Sequence, residues 1–448
     1  MRFLPHTDAD RSAMLDTIGV SDMRELFADI PARFHHEPGS LNMPSALSEA
    51  AIVRKFTQAS DKNRHAGNTS CFLGGGTYHH FIPAVVDYII SRGEFLTAYT
   101  PYQPEIAQGT LQTLFEFQTM VARLLGMDVS NASMYDAATS VAEAALMARR
   151  VKRRDRVVIA GSVNPRYRSV TDNYLSHLGG ETVTLESTTF STDVTQVCAN
   201  VDESTACVIV QYPDFYGSVY DLADIRSRCD ETGALMVVAF SDASAFSLIK
   251  SPGEYGADIV VGSGQSLGIP MGFGGPHLGL FTCTQKLLRQ MPGRVCGMTT
   301  DANGKRGFVL TLSTREQHIR REKATSNICS NQGLMCTAAA TYMTLMGDAG
   351  LKTVAEHSAA AMQMLVSNLP AHVQTADGAH YNETILSFKD QDHRDTFLAK
   401  AEAAQIFAGI PLEKMDTTAE PKHLLLATTE MTEADDVNRY LELLEAAQ

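Results

Sequence analysis

Two polar residues follow buried strands in the middle of the chain, and their types decide which chemistry this region can do. The run LMVVAFSDASAF reads as a buried strand that ends at Asp242, and residues 257–281, ADIVVGSGQSLGIPMGFGGPHLGLF, read as strand, glycine-rich turn and strand. This turn presents Gln265, 23 positions after Asp242. Open α/β sheets bind ligands at the carboxyl ends of their strands. Asp242 is therefore a candidate ligand-binding residue, whereas the amide nitrogen of Gln265 is not a nucleophile.

The order of these two residues resembles the large domain of pyridoxal phosphate-dependent enzymes of the aspartate aminotransferase fold. In such enzymes the strand-end Asp faces the pyridinium nitrogen, and the later residue is the lysine that holds the cofactor as a Schiff base. Gln265 stands at the position expected for that lysine. The resemblance implies a chain with this fold that has no firm cofactor-binding residue of its own.

A second candidate site is the loop YTPYQPEIAQG, which lies between two helical patterns. Pro101 and Pro104 stiffen the loop, so its polar and aromatic side chains have one rigid presentation. Such a loop suits the recognition of a small zwitterion, and the candidate residues are Tyr99, Tyr102, Gln103, Glu105 and Gln108. The alternative is a helix-joining loop with surface tyrosines.

Other motifs carry weaker signals. The triple glycine at 74–76 lacks a GxGxxG or Walker context, and the adjacent His79 and His80 are more typical of ordinary structure than of an acid/base pair. The turn YDAATS, residues 135–140, either cradles a phosphate at a helix N-terminus or only starts a helix. Residues 264–268 match the GxSxG elbow of serine hydrolases around Ser266, but a Pro/Gly-rich segment follows instead of the required helix.

The pattern of elements predicts an α/β protein. Near-continuous apolar strands alternate with helices such as DLADIRSRCDETG, which predicts a large, mostly parallel sheet covered on both faces. A long helical pattern from about residue 333 opens a smaller C-terminal α/β region, and Ser45 is the expected N-cap of a helix in the N-terminal arm. We expect a helical arm at 1–70, a large domain at 71–332 and a small domain at 333–448.

Composition narrows the classes of partner. The 37 basic and 51 acidic residues give a net charge of −14, which argues against nucleic acid or an anionic membrane as a partner. The eight cysteines lack zinc-finger spacing, so we expect reduced core thiols and no metal site. The opening MRFLPHTDADRSAM has no apolar segment of signal-peptide length, and no run of about 18 apolar residues occurs. We therefore expect a cytoplasmic protein.

Four long motifs make the resemblance more specific. In chain order they are FLGGGTYHHFIPAVVD, TPYQPEIAQG, GQSLGIPMGFGGPHLG and TREQHIRREKATSNICSNQ, and together they resemble the glycine cleavage system P-protein family. The length and Gln265 fit the first subunit of the form that is divided into two related chains, glycine dehydrogenase (decarboxylating) subunit 1.

The resemblance implies decarboxylation of glycine and transfer of the aminomethyl group to the lipoyl arm of the H-protein. It also implies that a homologous second subunit carries the lysine and the covalently bound pyridoxal phosphate. This chain would then contribute Tyr102 and Glu105 as catalytic residues, with Tyr99, Gln103 and Gln108 binding substrate. Two other classes stay open: a non-catalytic regulatory paralogue that binds a pyridoxal phosphate enzyme, and a serine hydrolase that uses Ser266.

Overall fold

A computed structural model describes residues 5–36, 41–187 and 189–447. The first four residues of the opening segment, and the outer ends of the predicted ranges 1–70 and 333–448, lie outside the described residues. The chain divides into two compact units, Met1–Arg64 and His65–Gln448. The first unit ends at Arg64, and the domain boundaries at 70 and 332 stay predictions.

The first unit contains two α-helices, α1 (Asp8–Ile18) and α2 (Glu49–Ser60). Thr7 and Asp10 form a capping box on α1, and Ser48 caps α2 by accepting a hydrogen bond from the Ala51 N–H. The predicted cap at Ser45 is thus wrong by one helical turn. None of the described residues of this unit is buried, so it has no hydrophobic core of its own.

The second unit contains eleven further helices within the described residues, and seventeen strands. The helices are α3 (Ala84–Ile90), α4 (Gly93–Leu96), α5 (Gln108–Leu124), α6 (Ala137–Lys152), α7 (Pro165–Ser176), α8 (Val194–Asn200), α9 (Ala223–Thr232), α10 (Gln317–Arg320), α11 (Gly333–Ser367), α12 (Gln391–Ala403) and α13 (Ala434–Ala446). The strands are β1 (Ser70–Cys71), β2 (Val129–Ser130), β3 (Arg156–Ile159), β4 (Glu181–Thr184), β5 (Thr205–Gln211), β6 (Ser218–Val219), β7 (Leu235–Phe240), β8 (Ile259–Ser263), β9 (Gly279–Cys283), β10 (Val295–Thr300), β11 (Arg306–Thr311), β12 (Gln374–Thr375), β13 (Ala379–His380), β14 (Glu383–Ser387), β15 (Ile406–Phe407), β16 (Ile410–Pro411) and β17 (His423–Ala427).

The central element is a seven-stranded sheet of order β2-β9-β8-β7-β5-β3-β4. Strands β4, β3, β5, β7 and β8 are parallel, while β9 runs antiparallel to both of its neighbours. Every residue of β5, β7, β8 and β9 is buried, as expected for a sheet covered on both faces. Asp242 therefore lies just beyond β7, and Gln265 just beyond β8, at the same edge of the sheet.

A smaller sheet of order β12-β14-β17-β16 lies in the C-terminal part of the chain. It has its own apolar core, to which α12, α13 and the later part of α11 contribute. Helix α11 begins at Gly333 and changes direction at Gly347, which has a φ of +57°. The strand β1 pairs with β15, so the segment that precedes the triple glycine packs with this smaller core.

The strands β10 and β11 form an antiparallel hairpin, and its turn is residues 301–305 of the segment DANGKRG. All eight cysteines are free thiols, five of them buried. Within the described residues, no cluster of three or more His, Cys, Asp or Glu side chains is arranged to hold a metal ion. No helix in the described part of the chain is both long and apolar enough to cross a membrane.

Candidate active site

The side chain of Gln265 is fully engaged in hydrogen bonds to the main chain. Its Oε1 accepts from the Tyr78 N–H at 2.8 Å, and its Nε2 donates to the carbonyl oxygens of Tyr78 at 2.9 Å and Ile269 at 2.8 Å. The residue is 1% exposed. Gln265 therefore fastens the segment after the triple glycine to the end of β8, and this role needs both an acceptor and two donors.

His80 connects the buried carboxylate of Asp242 with the partly buried carboxylate of Glu430. Its Nε2 lies 3.2 Å from the carboxylate of Asp242, and its Nδ1 lies 2.7 Å from that of Glu430. Asp242, which is 3% exposed, also accepts hydrogen bonds from Asn382 at 2.9 Å and from the N–H and hydroxyl of Ser244 at 2.9 and 2.6 Å. Both oxygens of Asp242 are thus occupied by groups of this chain.

The charges in this cluster support one another. Burial alone would lower the pKa of His80, but the negative charges of Asp242 and Glu430 and the hydrogen bonds to them raise it to about 10. Burial alone would raise the pKa of Asp242, but the charge of His80 and the hydrogen bonds hold it down to about 2. At neutral pH the cluster therefore contains an imidazolium ion between two carboxylates.

A second buried carboxylate, that of Glu383, binds the segment that contains the triple glycine and Tyr78. Glu383 accepts hydrogen bonds from the Gly75 N–H and from the Tyr78 hydroxyl, both at 2.6 Å. Burial raises the pKa of Glu383 to about 8. A Cβ atom at Gly74 would lie 2.4 Å from the Glu383 carboxylate, so only glycine allows this approach. The glycine segment is therefore held tightly against the sheet edge.

A cavity of about 390 Å³ next to this segment is lined in part by the YDAATS turn at the start of α6. Asp136 is the N-cap of α6, and its carboxylate accepts a hydrogen bond from the Thr139 N–H at 2.8 Å. A carboxylate at this position takes up a first-turn donor and repels a phosphate group. The structure thus favours a simple helix start for this turn.

These residues do not fit a covalently held pyridoxal phosphate in this chain. Gln265, which stands at the position expected for the aldimine lysine, has an amide that is committed to Tyr78 and Ile269. The oxygens of Asp242 that would face a pyridinium nitrogen are committed to His80, Asn382 and Ser244. Gln265 and Asp242 stand where this fold is expected to hold the cofactor, but both side chains bind other parts of this chain.

The loop Tyr99–Gln108 lies elsewhere in the second unit, against the β10–β11 hairpin and the segment after it. The Tyr102 hydroxyl accepts a hydrogen bond from Arg294 at 2.6 Å, and the Tyr99 hydroxyl lies 3.2 Å from the Ser330 hydroxyl. The Gln108 amide exchanges two hydrogen bonds of 2.9 Å with the main chain of Phe308 in β11. Gln108 therefore fixes one end of the loop to the hairpin.

The outer part of the loop is open to solvent. Tyr99 is 84% exposed and Tyr102 is 50% exposed, and Gln103 and Glu105 are also exposed. Among the described residues, no hydrogen bond or ion pair joins the loop to the cluster around Gln265. The two predicted sites are thus separate in this chain, and the outer side chains of the loop are free to meet a partner.

Ser266 has the environment of a structural residue. It is buried, its hydroxyl accepts a hydrogen bond from the Ala243 N–H at 3.1 Å, and the chain runs on through a loop into β9 without an intervening helix. A nucleophile elbow needs an exposed hydroxyl at a strand-to-helix turn. The geometry gives no support to the serine hydrolase alternative.

The sheet and the residues at its edge define the fold class. The chain superposes on a glutamate decarboxylase from Lactobacillus brevis with a TM-score of 0.67 at 11% identity, covering 93% of this chain and 96% of the other. It superposes on a sphingosine-1-phosphate lyase from Burkholderia pseudomallei with a TM-score of 0.63 at 15% identity, covering 92% of each. The chain has the aspartate aminotransferase-like fold of pyridoxal phosphate-dependent transferases, as predicted.

Closer relatives define the family. The model described as "Glycine cleavage system P-protein" matches residues 1–444. The chain is 49% identical to the "Probable glycine dehydrogenase (decarboxylating) subunit 1" of Sphingopyxis alaskensis, covering 97% of each protein. A crystal structure of a glycine decarboxylase (P-protein) of the glycine cleavage system, in inhibitor-bound form, is 37% identical, with a TM-score of 0.88 and complete coverage of both chains. The chain belongs to the glycine cleavage system P-protein family, which confirms the resemblance.

Restoring the lysine is not expected to restore cofactor binding. A lysine at position 265 has three donors and no acceptor, so it would leave the Tyr78 N–H unpaired, and Asp242 would stay bound to His80. After incubation with pyridoxal phosphate and reduction with borohydride, neither the isolated chain nor its Gln265→Lys variant should carry the cofactor on peptide 257–281. Mass spectrometry measures this, with the surface residue Lys250 as the internal control for non-specific labelling. Stoichiometric labelling at position 265 would contradict the fit described above.

Proposed function

We propose that this chain is the subunit of a two-chain glycine decarboxylase that lacks the Schiff-base lysine. A homologous lysine-bearing subunit holds the pyridoxal phosphate covalently, and the complex decarboxylates glycine and passes the aminomethyl group to the lipoyl arm of the H-protein. When bound, the cofactor supplies the electron sink for loss of the carboxylate. The observation that carries the proposal is the commitment of Gln265 and Asp242 to side chains and main chain of this subunit, within a fold that otherwise matches the decarboxylase.

The loop Tyr99–Gln108 is the part of this chain that we assign to the shared active site. Tyr102 and Glu105 are the proposed catalytic residues, and Tyr99 and Gln103 the proposed substrate-binding residues. Their exposure supports this role, since nothing in the described chain covers the outer side chains of Tyr99, Gln103 and Glu105. Gln108 contributes by holding the loop on β11.

The N-terminal unit supports a stable complex. Its described residues include exposed apolar side chains, among them Phe27, Phe34 and Phe56, and none of these described residues is buried. Exposed apolar surface of this kind marks an interaction site. We propose that this unit packs on the partner subunit.

Co-expression with a lysine-bearing homologue tests the proposal. We expect a stable complex with an even number of subunits, by size-exclusion chromatography with light scattering, and exchange of carboxyl carbon between glycine and bicarbonate only when both chains are present. This chain remaining monomeric beside the homologue at every salt concentration would contradict the proposal. Full exchange by the partner alone would favour the regulatory paralogue, and labelling of Ser266 by a serine-directed probe would revive the hydrolase.

A further inference from the structure

Arg294 is a buried cation directed at the proposed active-site loop. It precedes β10 and is 3% exposed. Its Nη2 donates to the Tyr102 hydroxyl at 2.6 Å, and its Cζ lies 5.0 Å from the centre of the Tyr102 ring. Its Nη1 donates to the Asn331 side chain at 3.4 Å, and its Nε lies 3.6 Å from the Glu316 carboxylate without a hydrogen-bond partner.

The shortest of these contacts is made to the loop and not to the buried carboxylate. A buried guanidinium costs several kcal/mol of desolvation unless it is paired and hydrogen-bonded, and one carboxylate at 3.6 Å offsets this only in part. A charged donor at 2.6 Å, together with a cation over an aromatic ring, makes a strong contact to Tyr102. Arg294 is therefore a buried cation that lies beneath Tyr102, and Tyr102 itself is half exposed.

This contact fixes the chemical role of the Tyr102 hydroxyl. An arginine has donors only, so Tyr102 must accept from Arg294 and has its own O–H proton left to donate. The His318 ring packs against the Tyr102 ring at 5.7 Å and 68°, which limits the rotation of the phenol. Tyr102 is therefore held as a hydrogen-bond donor that points away from Arg294.

We propose that Arg294 is a positioning residue that holds Tyr102 as a donor to the carboxylate of the substrate. The inference rests on the proposed function, because it requires Tyr102 to reach substrate in the complex. Arg294 acts only through Tyr102 and does not itself touch substrate. Its effect on catalysis must therefore depend on the presence of the Tyr102 hydroxyl.

A double-mutant cycle in the assembled enzyme tests this dependence. We expect Arg294→Met to lower kcat/KM for glycine by about ten- to a hundredfold, the cost of a misplaced contact. In the Tyr102→Phe background the same change should have less than about a twofold effect, since coupled residues are non-additive. Arg294→Lys should recover part of the activity, because it keeps a cationic donor. Arg306→Met is the matched control, since Arg306 makes a similar contact to Phe308 at 5.6 Å but donates no hydrogen bond to a hydroxyl of the described residues.

The outcomes separate the inference from the proposed function. The positioning role would be wrong if Arg294→Met lowered kcat/KM equally in both backgrounds. It would also be wrong if Arg294→Met left kcat/KM unchanged while Tyr102→Phe lowered it. In either case the proposed function would stand. Full activity of both Tyr102→Phe and Glu105→Gln would instead remove the loop from the active site. If Arg294→Met does not assemble, the cycle is run with Arg294→Lys, and a loss confined to the background with the Tyr102 hydroxyl supports the inference.

Discussion

Tyr102→Phe and Glu105→Gln should each lower kcat/KM for glycine of the assembled enzyme by about ten- to a thousandfold, the range for losing one positioned donor or acid/base group. Each change removes one polar function with little change of shape. The Tyr102 hydroxyl is held by Arg294, and Glu105 is exposed on the same rigid loop. Carboxyl exchange between glycine and bicarbonate measures the loss.

Assembly and the partner's cofactor serve as internal controls for this prediction. Neither residue is buried, so the complex should form normally and the absorption spectrum of the partner's pyridoxal phosphate should be unchanged. Tyr88→Phe is the matched variant, because Tyr88 is also exposed and also accepts a hydrogen bond from an arginine, Arg92, at 3.1 Å. It should keep full activity. Normal turnover by both loop variants would make the loop structural.

The sheet could be predicted from the sequence because its central strands are buried on both faces. Such strands appear as short apolar runs: β7 and β8 lie within LMVVAFSD and ADIVVGSG, and β5 begins one residue before the run ACVIVQYP. The hairpin at DANGKRG has an equally local signal. The cap of α2 was harder to predict, because Ser45 and Ser48 lie one helical turn apart and only local main-chain geometry selects Ser48.

The cluster at the sheet edge could be predicted only in part. Asp242 and Gln265 were visible because they follow strands, but the partners of His80 lie 162 and 350 positions away. Two adjacent histidines look the same in sequence whether they are buried or exposed, so the role of His80 depends on tertiary packing. Asp242 was the one feature of the sequence that pointed to a cation such as His80. A buried carboxylate requires a cation nearby, and a chain without the cofactor lysine must supply another one.

The sequence predicts a stiff loop at Tyr99–Gln108, but the residues that support this loop were not visible in the sequence. Arg294 lies outside the segment 315–323, where three arginines cluster in the sequence. Its contact to Tyr102 joins residues that are 192 positions apart. Gln108 was predicted as a substrate-binding residue from its type, whereas its amide pairs with β11. Side-chain type thus indicated polarity at these positions, while only the fold determines which groups stay free.

His80→Phe should strongly destabilise the second unit. The change keeps a ring of similar size but removes the only side chain that bridges Asp242 and Glu430 among the described residues. Leaving buried carboxylates without their cation costs roughly 3 to 5 kcal/mol. The midpoint of thermal unfolding of the isolated chain, measured by circular dichroism at pH 7, should fall by several degrees.

The same cluster predicts the pH dependence of stability. The pKa of His80 is raised from 6.5 to about 10, so its contribution is fully present below pH 6.5 and is lost as the pH rises towards 10. The pKa of Asp242 is lowered from 3.8 to about 2, so its contribution is present above pH 3.8 and is lost only as the pH falls towards 2. Burial raises the pKa of Glu383 from 4.5 to about 8, so its contribution to stability is also lost as the pH rises, and this loss is nearly complete at pH 8. The buried cysteines, whose pKa burial also raises, add to the decline at higher pH, so the difference in slope between the wild-type chain and a variant at position 80 is what reports on His80.

The unfolding midpoint of the wild-type chain should thus fall between pH 8 and 9, and His80→Phe should flatten this slope as well as lower the midpoint at pH 7. His177→Phe is the control, because His177 is exposed and its replacement should change neither quantity. A variant at His80 with unchanged midpoint and unchanged slope would mean that the two carboxylates are held by Asn382, Ser244 and the main chain alone. Asp242 would then not depend on a cation, and its commitment to His80 could no longer support the proposal that the partner subunit holds the cofactor.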